Sequence, residues 1–339
     1  MLPVKKPEFQ LIDRFRSLAA QRSGVLTGIG DDCAIVHWGV SNTGLVTTDM
    51  LLEGVHFDLA TATPRQVGRK ALGVNLSDIA AMAGRPQYAV VSLGLQRQYD
   101  AALVEELFAG MQDLAADFET SIVGGDTNAW EGPLVINVTL IGEPNARGAV
   151  LRSGAQPGDW IFVTGDLGGS ILGRQFSFMP RVHEAQRLAE HVSLRSMLDV
   201  SDGLVADLYH ILEESHCGAV LFADRIPVSA AAHQMAGRLE SLVAPIVMDD
   251  HFSGLNPALG HALSDGEDFE LLLTVSPEDG ARLLAASPLD CRLSHIGEVI
   301  AEPACRLRMA SGVEWDLPRM GWNHNVNEAG RATVSQPLD

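Results

Sequence analysis

The chain has 339 residues, 46% of them hydrophobic, and carries a formal charge of −19. That length supports a sizeable core and favours two domains over one. The negative field repels nucleic acid and anionic membrane surfaces, so neither is expected as a partner, and a phosphorylated substrate needs something positive to bring it in. Phe9, Ile12, Phe15 and Leu18 fall at helical spacing over 8–20. A glycine turn then leads through the adjacent pair Asp31 and Asp32 into the apolar run Cys-Ala-Ile-Val. Residues 44–50 read as a buried strand running into Asp49, and 66–84 as a helix with a glycine stop, on which Asn75 and Asp78 share a face. A strand over 88–95 precedes an amphipathic helix over 99–118, with Leu103, Leu107, Met111, Leu114 and Phe118 inward. The segments Ser-Ile-Val-Gly-Gly-Asp-Thr-Asn and Pro-Leu-Val-Ile-Asn-Val-Thr-Leu-Ile-Gly-Glu complete a first block.

The turn-rich stretch 153–159 places a domain junction near residue 150. The expected division is a first domain over 1–150, a second over 151–325 and a disordered tail over 326–339. The second block opens with the strand Trp-Ile-Phe-Val-Thr and the glycine-rich loop 165–173, which can cradle an anion if it opens a helix. A strand end then passes through Asp-Val-Ser-Asp-Gly into a helix with Leu204, Leu208, Ile211 and Leu212 inward, stopping at Gly218. Residues 267–275 read as another strand, and Ser276 caps the next helix with Pro277 at its first position. Neither block has strict strand-helix alternation, so the class is α+β.

Cys33, Cys217, Cys291 and Cys305 lie far apart, which argues against a zinc site or a disulfide framework and for a reducing, cytoplasmic setting. The N-terminal stretch has charges where a signal peptide needs its apolar run, and no run is long enough to span a bilayer.

Carboxylates recur at strand ends and helix starts: Asp31, Asp32, Asp49, Asp78, Asp126, Asp199 and Asp202. Singly, each has an ordinary role: Asp202 or Ser201 as a helix cap, Asp126 as a turn residue, Asp78 as a solvated side chain. Together, they would repel severely if they met, and such a cluster must bind cations or take up protons. Oxygen ligands without a His or Cys cluster select a hard ion such as Mg²⁺, which bridges to phosphates. No G-x-x-x-x-G-K-[ST] phosphate loop is present. Arg152 is the cation best placed in the sequence for an anion, and equally a surface arginine before a turn.

Seven ordered motifs carry a family resemblance: GIGDDCAIV, TTDMLLEGVHF, NLSDIAAMAG, IVGGDT, RSGAQPGDWIFVTGDLGGS, LDVSDGL and SDGEDFEL. In order and spacing they resemble bacterial thiamine-monophosphate kinases, from about residue 8 to the Gly-Trp-Asn-His at 321–324, within a superfamily that also holds aminoimidazole ribonucleotide synthetase and selenophosphate synthetase. The resemblance implies ATP-dependent conversion of thiamine monophosphate to thiamine diphosphate with several Mg²⁺ ions. It also implies two α/β domains, with the N-terminal one pairing in a homodimer. By matching position, Asp32, Thr47, Thr48, Asp49, Asp78, Asp126, Asp199 and Asp202 would hold magnesium. Gly125, Asp126, Arg152 and Ser201 would contact ATP, and His56, Glu267 and Trp322 the thiamine phosphate. The chain departs from the pattern in a short segment after the glycine-rich loop, in the length of 231–263, and at Asp265, where relatives carry glycine.

The acceptor would be a phosphate monoester, already ionised at neutral pH, so no general base is needed and direct in-line transfer is expected. Trp322 is equally a core anchor, Glu267 a strand start and His56 a structural histidine. Two rival readings remain open: a superfamily enzyme with another acceptor, and a non-catalytic nucleotide or metal sensor.

Overall fold

The computed structural model describes residues 16, 24–38, 43–98, 100–237, 252 and 254–322. The helix expected over 8–20, apart from Arg16, and the tail over 326–339 lie outside the described residues. All of 238–251 does too.

The first sheet runs in the order β1-β2-β3-β6-β4-β5. Its strands are β1 Val25–Thr27, β2 Ala34–His37, β3 Thr43–Leu52, β4 Arg85–Gln96, β5 Ser121–Trp130 and β6 Val135–Glu143. All neighbours are antiparallel except β4 and β5. Alternation sets its faces: along β6, Ile136, Val138 and Leu140 are buried, whereas Val135, Asn137 and Thr139 are only half-buried. The buried face receives α1 (Pro64–Ala81) and α2 (Ala101–Asp117).

Helix α1 starts at a capping box in which Thr63 and Gln66 exchange side-chain and backbone hydrogen bonds, with Pro64 at the first position. It is buried almost all round, which marks a central helix. It crosses α2 at close range: a Cβ on Gly68 would come 1.9 Å from the Leu107 carbonyl oxygen, and one on Gly110 1.9 Å from that of Arg65. The chain leaves α1 through Ala83, which takes the left-handed turn (φ 53°) instead of Gly84.

The second sheet runs β13-β12-β9-β11-β7-β10-β8. Its strands are β7 Trp160–Thr164, β8 Leu194–Asp199, β9 Gly218–Phe222, β10 Leu271–Val275, β11 Leu293–Ile300, β12 Cys305–Arg308 and β13 Glu314–Asp316. Only β12 and β9 run parallel. Helices α3 (Val182–His191), α4 (Leu204–Ser215), α5 (Ala230–Ala236), α6 (Pro257–Ser264) and α7 (Pro277–Ala285) complete the described α-helices. Helix α4 stops at His216 in the left-handed region, two residues before the expected Gly218. Ser276 caps α7 with Pro277 following.

The two sheets share one core between them. Phe162, Met197, Leu271, Leu273 and Val275 join the cluster built on α1, α2 and the first sheet. The alternate residues Ile161, Val163, Leu198 and Leu272 join a second cluster with α4 and α6. The central strands of the second sheet are therefore buried on both faces, which is why they read as unbroken apolar runs. The architecture is α+β, with α1 between the sheets and its end facing β8.

Candidate active site

Helix α1 carries Ser77 and Asp78 to the junction of the two sheets. There the turn before β2 supplies Asp32, β3 supplies Thr47 and Asp49, and the end of β8 supplies Asp199. Asp32, Asp78 and Asp199 each place a carboxylate oxygen within 4.8 Å of the others. Two unit charges at that distance repel by about 3.5 kcal/mol at an effective dielectric of 20. Thr47 Oγ1 donates to Asp78, and Ser77 Oγ to Asp199 at 2.5 Å. Asp49 lies against Asp78, and its Oδ2 is sealed from solvent without a hydrogen-bond partner in the described protein.

Burial raises Asp31, Asp49, Asp78 and Asp199, and the charge of Asp32 adds to each rise. Burial first, then Asp49, Asp199 and Asp32, push Asp78 well above the ordinary carboxylate range. Burial and Asp32 push Asp199 up to about 7, and burial, opposed by Asp78 and reinforced by Asp32, holds Asp49 at about 6. Asp31 is also raised to about 7, by burial and by its neighbour Asp32. Arg152 is the cation set among them. Its Nε and Nη2 bind Asp32 at 3.0 and 2.8 Å, and its backbone N–H donates to Asp31. The surface-arginine reading of Arg152 therefore fails, because the guanidinium is folded into the acid cluster. All donors in the cluster are oxygens, one of them an orphaned buried carboxylate oxygen, and the set fits a hard dication such as Mg²⁺.

Other expected residues surround the cluster without entering it. Thr48 points to the opposite face of β3, where its Oγ1 meets Val138 O and Thr139 Oγ1, so its side chain is not among the acids. Gly125 and Asp126 lie on the exposed edge strand β5, and Asp126 accepts from Asn128. Three strand spacings separate β5 from β3, about 14 Å. Ser201 and Asp202 occupy the loop before α4. That loop is held by a residue the sequence reading passed over: the buried Asp207 Oδ2 accepts the backbone N–H groups of Ser201, Asp202 and Gly203, each at 3.0 Å. Its spacing four residues into an otherwise apolar helix start was the available signal.

Trp322 and Glu267 meet this loop, and Lys70 links His56 to Glu267. Trp322 donates its backbone N–H to Asp202 O at 2.9 Å, and its side chain is exposed. Glu267 donates its N–H to Ser201 O at 2.7 Å. Glu267 and Phe269 both have left-handed backbones, φ 66° and 50°. Such strain persists only where surroundings fix it. Here Phe269 N–H binds Val200 O, and its ring stacks on Phe178 at 4.2 Å. His56 Nδ1 accepts the Leu52 N–H at 3.0 Å, and the His56 carbonyl and the Glu267 carboxylate both bind Lys70.

The glycine-rich loop does not act as an open anion cradle. Gly168 N–H is taken by Asp268 and Gly169 N–H by Asp265, at 2.8 and 2.9 Å. Only short 3₁₀ turns follow, at Ser170–Leu172 and Arg174–Phe176. Asp265, the departure from glycine, also meets His261 Nδ1 at 3.0 Å. Glu270, fully buried beside this loop, accepts from Thr164, Arg174 and Arg181.

Among the described residues, no helix is long and apolar enough to cross a membrane. The family model for the N-terminal domain of AIR synthase related proteins matches residues 30–143, and that for the C-terminal domain matches 156–310. The chain is 36% identical to the thiamine-monophosphate kinase of Rhodopirellula baltica over 324 residues, covering 94% of this chain and 97% of that protein. The crystal structure of thiamine-monophosphate kinase from Stenotrophomonas maltophilia K279a is 32% identical, with a TM-score of 0.67 over 89% of this chain and 96% of that one. The structure of AaThiL complexed with AMPPCP and TMP is 27% identical, with a TM-score of 0.73 over 93% of this chain and 99% of that one. The acid cluster thus sits in a chain whose two halves match both domains of one superfamily and 94% of which matches one enzyme within it, so this chain belongs to the thiamine-monophosphate kinase family.

Proposed function

We infer that this chain is a thiamine-monophosphate kinase, which moves the terminal phosphoryl group of ATP onto the phosphate of thiamine monophosphate. The observation that carries the reading is the meeting of Asp32, Asp78 and Asp199, from positions far apart in the chain, within 4.8 Å of one another in a member of that family. Asp32, Asp49, Asp78 and Asp199, with Thr47 beside them, would hold magnesium, and Asp202 lies at the rim. Bound there, magnesium neutralises phosphate charge and orients donor and acceptor.

The protein's own groups set the rest. Arg152 keeps Asp32 oriented and adds one positive charge to an acidic site. Asp207 holds the 201–203 loop, so that Ser201 can meet the nucleotide. Gly125 and Asp126 are proposed as further nucleotide contacts on the strength of their motif. Trp322 is placed to cover the cationic thiazolium face, worth about 0.5–2 kcal/mol. Glu267 can accept from the aminopyrimidine, and His56 lines the same side. Neither His56 nor any other group is needed to take a proton from the acceptor, whose phosphate is already an anion, and transfer is direct and in line. The half-chains 1–150 and 151–325 are proposed as the two domains. The open face of the first sheet exposes Met50, Tyr88, Val123 and Trp130, which supports pairing of two copies through it. A cytoplasmic setting accords with four unpaired cysteines.

The test is ADP release with thiamine monophosphate, free thiamine and formylglycinamidine ribonucleotide, each with and without magnesium. Turnover is expected with thiamine monophosphate and magnesium only. Turnover with the ribonucleotide instead would move the chain to another acceptor, and a phosphorylated protein caught by rapid quench would rule out direct transfer.

A further inference from the structure

Lys70 has no role in the reading above. It sits on α1 in the stripe that packs Val67, Ala71 and Val74 inward, and it is 1% exposed. Its ammonium has three donors and all three are used: His56 O at 2.6 Å, Gln175 Oε1 at 2.6 Å and Glu267 Oε1 at 2.5 Å. The Phe176 ring lies 5.3 Å away. Two of these acceptors belong to residues placed at the thiamine phosphate. The third belongs to the short segment after the glycine-rich loop, where this chain departs from its relatives. The lysine is on the first half, whereas Gln175 and Glu267 are on the second.

The geometry divides the Glu267 carboxylate into two ends. Oε1 is drawn inward by Lys70. Oε2 has no hydrogen-bond partner among the described residues, and the side chain is 30% exposed. The left-handed backbone at Glu267 alone does not fix where its carboxylate points. A buried ammonium does, because leaving either charge unpaired in that setting is costly.

We propose that Lys70 is a positioning residue for the acceptor: it acts through Glu267 and the 52–57 turn, holding both in register with Gln175 and presenting Glu267 Oε2 to thiamine monophosphate. The proposal rests on the kinase reading and deepens it. With its three donors spent on His56, Gln175 and Glu267, Lys70 acts on the acceptor only through them.

The test is a double-mutant cycle with Lys70→Met and Glu267→Gln, read as KM for each substrate and kcat. Lys70→Met is expected to raise KM for thiamine monophosphate about 10-fold and leave KM for ATP within about two-fold. In the Glu267→Gln background the same change should add less than about two-fold, because the group it positions is already altered. Additive effects, an equal rise in both KM values, or no change would overturn the proposal. Gln175→Met removes one acceptor without stranding a charge and covers the case in which Lys70→Met does not fold. It should raise KM for thiamine monophosphate alone, and an unchanged value would also overturn the proposal. A wild-type chain that releases no ADP with thiamine monophosphate overturns the kinase reading and this proposal together. An active wild type with an indifferent Lys70→Met overturns this proposal only.

Discussion

Replacing Asp49 by asparagine should make the metal-free protein more stable while removing its activity. Burial holds the Asp49 carboxyl at about 6 against a usual 3.8. That rise is worth about 3 kcal/mol at 1.36 kcal/mol per pH unit. The sign follows from the proton balance. Below pH 3.8 the acid is neutral in both states and nothing is lost; between 3.8 and about 6 the unfolded chain ionises first and stability drains away; above about 6 the loss is complete. Asparagine avoids that loss, and its amide can still hydrogen-bond to Asp78. In urea unfolding at pH 8 with EDTA, Asp49→Asn should therefore gain up to about 3 kcal/mol over wild type, and at pH 4 the gain should vanish. Magnesium in excess should stabilise wild type more than the variant, because the variant has lost an anionic ligand. A variant less stable than wild type in EDTA at pH 8, or an equal response of both to magnesium, would refute the picture of a strained, cation-seeking cluster.

Trp322→Ala should raise KM for thiamine monophosphate about 2- to 30-fold, the range that a cation over an indole covers, with KM for ATP unchanged. An equal rise in both would return the side chain to a packing role. Thr47→Val removes the hydroxyl bound to Asp78 and should cut kcat, whereas Thr48→Val, on the opposite face of β3, should leave turnover within about two-fold. Glu270→Ala takes a fully buried partner from Arg174 and Arg181, which keep Asp166 O and Glu184, and should cost about 1.5–3 kcal/mol in unfolding free energy. The metal-free protein as a whole should lose stability as pH rises from about 4 to about 7. Asp199 and Asp268 are both held up to about 7 by burial, so the folded state keeps protons that the unfolded chain has released. Magnesium at pH 8 should recover the part due to Asp199 and leave that due to Asp268, which thermal midpoints at pH 5 and 8 will separate.

Much of this was legible in the residues. A glycine stop marked one long helix and apolar periodicity the other, and the ordered motifs pointed to the acids that converge. What the sequence withheld was non-local. A turn-rich stretch near 150 marks a junction in the sequence, but that alternate residues of β7, β8 and β10 serve two cores at once is seen only in the packed sheet. The glycine-rich loop read as an anion cradle because glycine spacing does not reveal that Asp265 and Asp268 already occupy its N–H groups. Thr48 matched a motif, but strand alternation turns its side chain away from Thr47 and Asp49, and that could have been read. Lys70 also left a trace: a lysine at i+3 from Val67 and i−4 from Val74, inside an apolar helical stripe, is out of place unless an acid awaits it.

The acids of the cluster come from both sides of the segment 144–159: Asp32, Asp49 and Asp78 precede it and Asp199 follows. Any cation held there is a clasp between two halves of one chain. Capture of the ion and closure of that seam are then a single linked equilibrium, in which each favours the other by the same factor. A protease offered the connecting segment would find it hardest to cut when the clasp is shut.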